Sequence, residues 1–208
     1  MTSSTAHIGN LQAATAVERF DAGGVTGAVA EAIARTAAGL VQPGSAIGIS
    51  AGPISCAFAR RLAGISDLTI VTNSPPVANT LHGASKLRQT VILTGGIRTA
   101  CDALVGPVAT EAIRDLHMDC VFISAHGVHA QSGFTSACLA EAEANRALTA
   151  NARRLVVLAD HTRWGLVGQA EFARLNEAAA LVSDDGLADE PRRVLEESVG
   201  TLVLASRT

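Results

Sequence analysis

The sequence predicts an α/β fold, one mostly parallel sheet with helices on both faces. Three observations predict it. Short β-branched apolar runs alternate with Ala-rich amphipathic segments along most of the 208 residues. The amphipathic segments are about 10–15 residues long, enough for a crossover between parallel strands. Polar, Gly-rich punctuation falls where the apolar runs end, as expected where strands hand over to helices.

The elements follow in order. Thr26–Val41 (TGAVAEAIARTAAGLV) has helical spacing and stops at Gln42-Pro43-Gly44. A strand, AIGIS, comes next, then a helix over ISCAFARRLAGI. The strand Leu68–Thr72 precedes a helix over PPVANTLHGA, whose two prolines sit in a first turn that tolerates them. TVILTGG reads as a strand ending on glycines, GPVATEAIRDL as a helix, and CVFISAHG as a strand. ACLAEAEANRALTANA is a long helix and RLVVLAD a strand. A short helix around Gln169–Leu175, the apolar run AALVSDDG, a helix at DEPRRVLEES and a last strand, GTLVLA, complete the chain. The pattern is Rossmann-like. Residues 1–22 read as a linker or N-terminal extension and residues 23–208 as one domain.

Composition narrows the function. Apolar residues make up 48% of the chain and charged residues 17%, with a net charge of −3. Lys86 is the single lysine among 16 basic residues, and the pairs Arg60-Arg61, Arg153-Arg154 and Arg192-Arg193 read as solvated helix ends. This is no nucleic-acid footprint. The cysteines Cys56, Cys101, Cys120 and Cys138 lie far apart without a C-x-x-C, which argues against a zinc ribbon or disulfide scaffold and fits a reduced cytoplasm. The N-terminus lacks a signal-peptide pattern. Pro43, Gly44 and Pro53 interrupt the one long charge-free run, so no membrane span is expected.

Ligands of such sheets bind beyond the carboxyl ends of the strands, which directs attention to Ser50–Ser55, Thr72–Ser74, Thr94–Gly96, Ser124–Gly127 and Asp160–Arg163. Three chemistries compete there. Gly48-Ile49-Ser50-Ala51-Gly52 matches the G-x-S-x-G of a serine hydrolase, with Asp102 or Asp119 and then His126 or His161 in the required order. Against that reading, the motif follows the first strand, whereas a nucleophile elbow normally follows several, and spacing identifies no base. His117, Cys120, His126 and His129 suggest a metal cluster, but a strand about 20 Å long separates the first pair from the second. The third chemistry is an anion cradle. SAGPIS running into a helix aims backbone N–H groups and the helix dipole at one spot, with Ser50 and Ser55 as further donors and Pro53 removing one.

An ordered series of seven motifs carries a family resemblance: AEAIARTAAGLVQPGSAIGIS, IVTNSPPVANTL, VILTGGIR, ALVGPVATEAI, DCVFISAHGV, GFTSACLAEAEANRAL and RLVVLADHTRWG. From about Thr26 onward the chain resembles the C-terminal effector domain of DeoR-type transcriptional regulators. That resemblance implies a ribose-5-phosphate isomerase/CoA-transferase-like fold, no catalysis, no cofactor, and a sensor for a small phosphorylated sugar or related anionic metabolite. It also implies a homo-oligomer that touches DNA only through a helix-turn-helix domain, for which too few residues precede Thr26.

The implied effector-binding residues are Ser50, Gly52, Ser55, Asn73, Gly95, Gly96, His126, Gly127, Glu141 and Arg163. Gly52, Asn73, Gly95, Gly96, Gly127, Gly133 and Glu141 keep the family's residue types. Ser50 and His126 stand where relatives carry aspartates, Pro53 and Ile54 replace threonines, Ser55 retains a hydroxyl, and Arg163 replaces a lysine. Losing two carboxylates while keeping a cation favours a more anionic or less hydroxylated ligand than a simple sugar phosphate. The enzymes of this fold leave a second reading, a sugar-phosphate isomerase or deaminase with Glu141 as base and His126 beside it. Glu141 also has a plain alternative, as an exposed helix residue paired near Arg146, and Trp164 is either a lid or a packed ring.

Overall fold

The computed structural model describes residues 27–84 and 88–206; the expected N-terminal linker lies outside them. Seven strands form one sheet in the order β12-β11-β9-β6-β1-β2-β3, and every neighbouring pair is parallel. These strands are β1 (Ala46–Ile49), β2 (Thr69–Thr72), β3 (Thr90–Leu93), β6 (Cys120–Ser124), β9 (Leu155–Leu158), β11 (Ala178–Asp184) and β12 (Leu202–Ala205).

The period-2 alternation of each strand sorts its side chains onto two cores. Ile47, Ile49, Phe122, Val156 and Leu158 face one layer, built from α1 (Gly27–Ala38), α2 (Pro53–Leu62) and α3 (Pro75–Ala84). Val121, Ile123, Leu155 and Val157 face the other, built from α4 (Pro107–Arg114), α5 (Leu139–Ala150) and α6 (Asp189–Ser198). The Ala-rich stripes explain the close helix packing. In α1, Val29, Ala30, Ile33, Ala34 and Ala37 recur at helical spacing and are all buried. Phe58 of α2 meets Phe122 of β6 with ring centroids 4.5 Å apart. Gly48 is a strand residue, and a Cβ there would stand 2.6 Å from Met118 Sδ and 2.9 Å from Val121 Cγ2.

Two small sheets were not foreseen. One is a hairpin of β4 (Ile97–Arg98) and β5 (Leu104–Val105). The other holds β7 (Gly127–His129), β8 (Gly133–Ser136) and β10 (Ala170–Ala173), antiparallel throughout. The expected helix at Gln169–Leu175 is therefore corrected to strand β10 followed by a 3-10 turn over Leu175–Glu177. Its exposed Glu171 alternates with buried Phe172, which stacks on Phe134 of β8 at 6.1 Å, so tertiary packing overrides local propensity. The expected strand CVFISAHG likewise ends at Ser124, and the chain enters the second sheet at Gly127. No helix among the described residues is long and apolar enough to cross a membrane.

Candidate functional site

All seven parallel strands end on the same side of the sheet. From β1 the chain builds outward to β2 and β3, while β6, β9, β11 and β12 build the opposite way. The order thus reverses between β1 and β6, and a crevice opens where the loops after those two strands part. A cleft lies there, with about 640 Å³ of empty space counting its open mouth, at the place where open α/β sheets bind ligands.

The floor is made by Ala51–Ile54 after β1 and by Ser124 and Ala125 after β6. Gly52 has φ 145°, and a Cβ on it would lie 2.8 Å from Ser124 Cβ, so the two loops approach at backbone distance. Serine hydroxyls hold them together. The Ser124 N–H donates to Ser50 Oγ at 3.0 Å, the Ser50 hydroxyl donates to the Ala51 carbonyl at 3.3 Å, and the Ser55 and Ser124 hydroxyls share a 2.8 Å bond. Pro53 opens α2 at a position whose N–H has no helical acceptor, leaving the positive end of the ten-residue helix directed at the floor.

One wall comes from the β6 and β9 ends. Arg163, buried in a 3-10 turn after β9, donates from Nε to Asp160 Oδ2 at 3.1 Å. The other oxygen of Asp160 accepts the Thr162 N–H at 2.9 Å and the Thr162 hydroxyl, which fixes the turn. Beside them stands His126, whose pKa is lowered first by burial and then by the Arg163 charge.

The opposite wall comes from β2, the β4–β5 hairpin and the start of α5. Asn73 follows β2 and is 2% exposed. It exchanges two bonds with Leu104 of the hairpin: Asn73 Nδ2 donates to the Leu104 carbonyl at 3.1 Å, and the Leu104 N–H donates to the Asn73 carbonyl at 2.7 Å. Asn73 Oδ1 is buried without a hydrogen-bonding partner. Glu141, in the first turn of α5, accepts from the Thr99 hydroxyl at 3.1 Å and from the Cys101 thiol, and burial raises its pKa despite both donors. Burial and then the Glu141 charge push the Cys101 thiol up to about 11, so it stays protonated and can donate.

The structure brings five of the ten candidate residues into the lining: Gly52, Asn73, His126, Glu141 and Arg163. The other five stand behind it. Ser50 is 1% exposed and both its hydroxyl bonds go to backbone, so it is a clasp between β1 and β6. Ser55 reaches the cleft only through Ser124. Gly95 and Gly96 shape the turn into β4, where Gly96 has φ 119° and a Cβ would sit 2.6 Å from the Val105 carbonyl oxygen. Gly127 lies under the Leu166 backbone, whose carbonyl oxygen a Cβ would strike. Glu141 is not the exposed residue paired near Arg146, since the Arg146 guanidinium reaches the Glu171 carbonyl instead. Trp164 packs half-buried on the second core and is not part of the lining.

Sequence reasoning did not nominate Cys101, Ser136 or Asn145, which also line the cleft. Asn145 Nδ2 donates to Ser136 Oγ at 3.0 Å, joining α5 to β8. Only tertiary topology brings these residues to the site; a polar Asn145 on the buried face of α5 was the available signal. Among the described residues no group of three or more His, Cys, Asp or Glu side chains is placed to hold a metal ion. Cys120 starts β6 and His126 follows its end, which separates the suspected cluster.

The family model for the DeoR C terminal sensor domain matches residues 29–185. The HTH-type transcriptional regulator GolR of Listeria innocua serovar 6a is 34% identical over 156 residues, covering 74% of this chain and 61% of that protein. The glycerol-3-phosphate regulon repressor of Escherichia coli K12 is 28% identical over 155 residues, again 74% of this chain and 61% of that protein. This chain thus spans about three-fifths of the length of both curated relatives. Among solved structures, ribose 5-phosphate isomerase A from Methanocaldococcus jannaschii aligns with a TM-score of 0.47 at 15% identity, covering 65% of this chain and 53% of that one.

Proposed function

This chain belongs to the DeoR C-terminal sensor-domain family, and from that premise we propose that it is the effector-sensing part of a transcriptional regulator. Its effector is a small phosphorylated sugar or related anionic metabolite that binds, without turnover, in the cleft between the β1 and β6 loops. The observation that carries the reading is the cleft itself. It sits at the reversal of strand order, with the N-terminus of α2 at its floor and the buried Arg163 in its wall. A helix N-terminus and a planar guanidinium are complementary to the oxygens of a phosphate or carboxylate. The relative named for a glycerol-3-phosphate regulon supports a phosphorylated effector. Relatives named as HTH-type regulators support readout on DNA through a helix-turn-helix domain in the whole regulator, and a homo-oligomer is part of the same proposal.

Ser50 does not support a hydrolase, because its hydroxyl serves backbone groups on both sides. One observation favours a second reading, proton transfer on a bound sugar phosphate: the raised pKa of Glu141 within the cleft. Regulatory relatives weigh against it.

Thermal unfolding with phosphorylated sugars and their unphosphorylated parents tests the proposal. A ligand at about a hundredfold its Kd adds roughly 2.7 kcal/mol, which moves the midpoint by roughly 5–10 °C at this size. The expected shift is confined to phosphorylated compounds and shrinks in Arg163→Lys, which keeps the charge but loses the fork. Equal shifts with the neutral parents, or none with any phosphorylated compound, would overturn it. Turnover lost in Glu141→Gln would instead establish the second reading.

A further inference from the structure

The cleft has two chemically unlike walls. On the β6/β9 side the cation Arg163 is paired with Asp160. On the β2/hairpin side Glu141 accepts only from two neutral donors, the Thr99 hydroxyl and the Cys101 thiol. Among the described residues it has no ion-pair partner. Asp102, a carboxylate of the adjoining hairpin, is already bonded to Arg98 at 2.6 Å. Glu141 is therefore a half-buried carboxylate, in the first turn of α5, that no cationic side chain among the described residues pairs.

A second, independent feature of that wall asks for the same thing. The bond from Nδ2 to the Leu104 carbonyl fixes the orientation of the Asn73 amide, a main-chain bond between the same residues holds its backbone, and Oδ1 is left as a buried acceptor without a donor. Buried acceptors in native proteins are nearly always satisfied, so such a group in a cleft points to the ligand. Two acceptors, one of them charged, call for a group that donates more than one hydrogen and carries positive charge. A hydroxyl supplies one neutral donor. An ammonium supplies three donors and the counter-charge, and charge-assisted bonds are about twice as strong as neutral ones.

We infer that the effector is bipolar: an anionic group lies toward Arg163 and the start of α2, and a protonated primary amine lies against Glu141 and Asn73. The ligand class is an amino sugar phosphate or a similarly sized phosphorylated amine. This rests on the effector-binding reading above and names the chemistry of the ligand's other end.

Matched pairs provide the test on the whole chain: glucosamine 6-phosphate with glucose 6-phosphate, and phosphoethanolamine with glycol phosphate, each titrated by calorimetry. At least one amino member should bind about tenfold or more tightly than its hydroxyl partner. N-acetylglucosamine 6-phosphate, with the same skeleton and no charge on nitrogen, should lose that advantage in the wild-type protein. Glu141→Gln should bring the pair within about twofold while phosphate dependence persists, and the N-acetyl arm serves equally if that variant does not fold. Equal binding within both pairs, or an advantage retained by the N-acetyl compound or by Glu141→Gln, would refute the amine and leave the anion-sensing proposal standing. Failure of every phosphorylated probe would bring down both.

Discussion

Asp160 and Arg163 make the perturbation whose size the structure determines best. Their exposures are 3% and 8%, so solvent screens little of the interaction between the Asp160 carboxylate and the Arg163 Nε–H. Asp160→Asn keeps the side chain's shape. The amide oxygen can still accept from the Thr162 N–H, but its NH2 then faces the Arg163 Nε–H, donor against donor. Removing one partner of a buried pair leaves the other charge poorly compensated and costs about 3–5 kcal/mol. A domain's whole stability is about 5–15 kcal/mol, so the loss is severe. Urea unfolding followed by circular dichroism should therefore show a much lower midpoint for Asp160→Asn. Arg163→Met should also lose stability. The double variant, which removes both charges, should retain more than the sum of the singles allows, with a coupling above about 1 kcal/mol. A cost for Asp160→Asn below about 1 kcal/mol, or strict additivity, would show that water reaches the pair and that this wall is not the buried anchor described above.

Other expectations follow from the same packing. Ser50→Ala removes the acceptor of the part-buried Ser124 N–H and should cost about 1 kcal/mol in chemical denaturation; an unchanged midpoint would dismiss the clasp. Gly48→Ala drives a methyl group toward Met118 and Val121 and should cost about 1–3 kcal/mol, with a trimmed Val121→Ala partner recovering part of it. The pH dependence has two opposed parts. His126 titrates below its ordinary 6.5 when folded, so stability is lost as pH falls from 6.5 towards the folded value. Glu141 titrates above its ordinary 4.5, so its contribution is present below 4.5 and lost as pH rises through the folded value. Thermal midpoints should accordingly decline below about pH 6.5 less steeply in His126→Gln, and at pH 7 should be higher in Glu141→Gln than in the wild type. The opposite sign in either variant would contradict the burial assigned to that group.

The seven-stranded sheet was legible because each of its strands is an apolar run of at least four residues set between Ala-rich amphipathic segments. The second sheet was not, for a physical reason. β7 is three residues long and β10 four, and what makes β10 a strand is Phe172 stacking on Phe134, a contact 38 positions apart that no local pattern carries. The site divides the same way. Strand-end positions such as Gly52, Asn73, His126 and Arg163 follow from topology alone, since parallel strands deliver their C-terminal loops to one edge. Ser50 and Gly127 occupy the same edge yet face inward, because the loop after β1 turns under Ser124 and β7 lies beneath the Leu166 backbone. Cys101 and Asn145 arrive from a hairpin and a helix face, and their place in the cleft depends on how those elements dock.

At and behind the floor of the cleft, segments of chain approach too closely for a side chain between them. Gly52 lies against Ser124, and a side chain on Gly168, beside His126, would run into the Ser136 carbonyl. Replacements at these positions deform the scaffold before they alter what binds. Innovation is thus confined to the walls, where Asn73, His126, Glu141 and Arg163 come from four separate segments and can change one at a time. On the proposed effector reading, a lineage built on this backbone would exchange one metabolite for another by single substitutions in the walls, while the crevice itself stays the same.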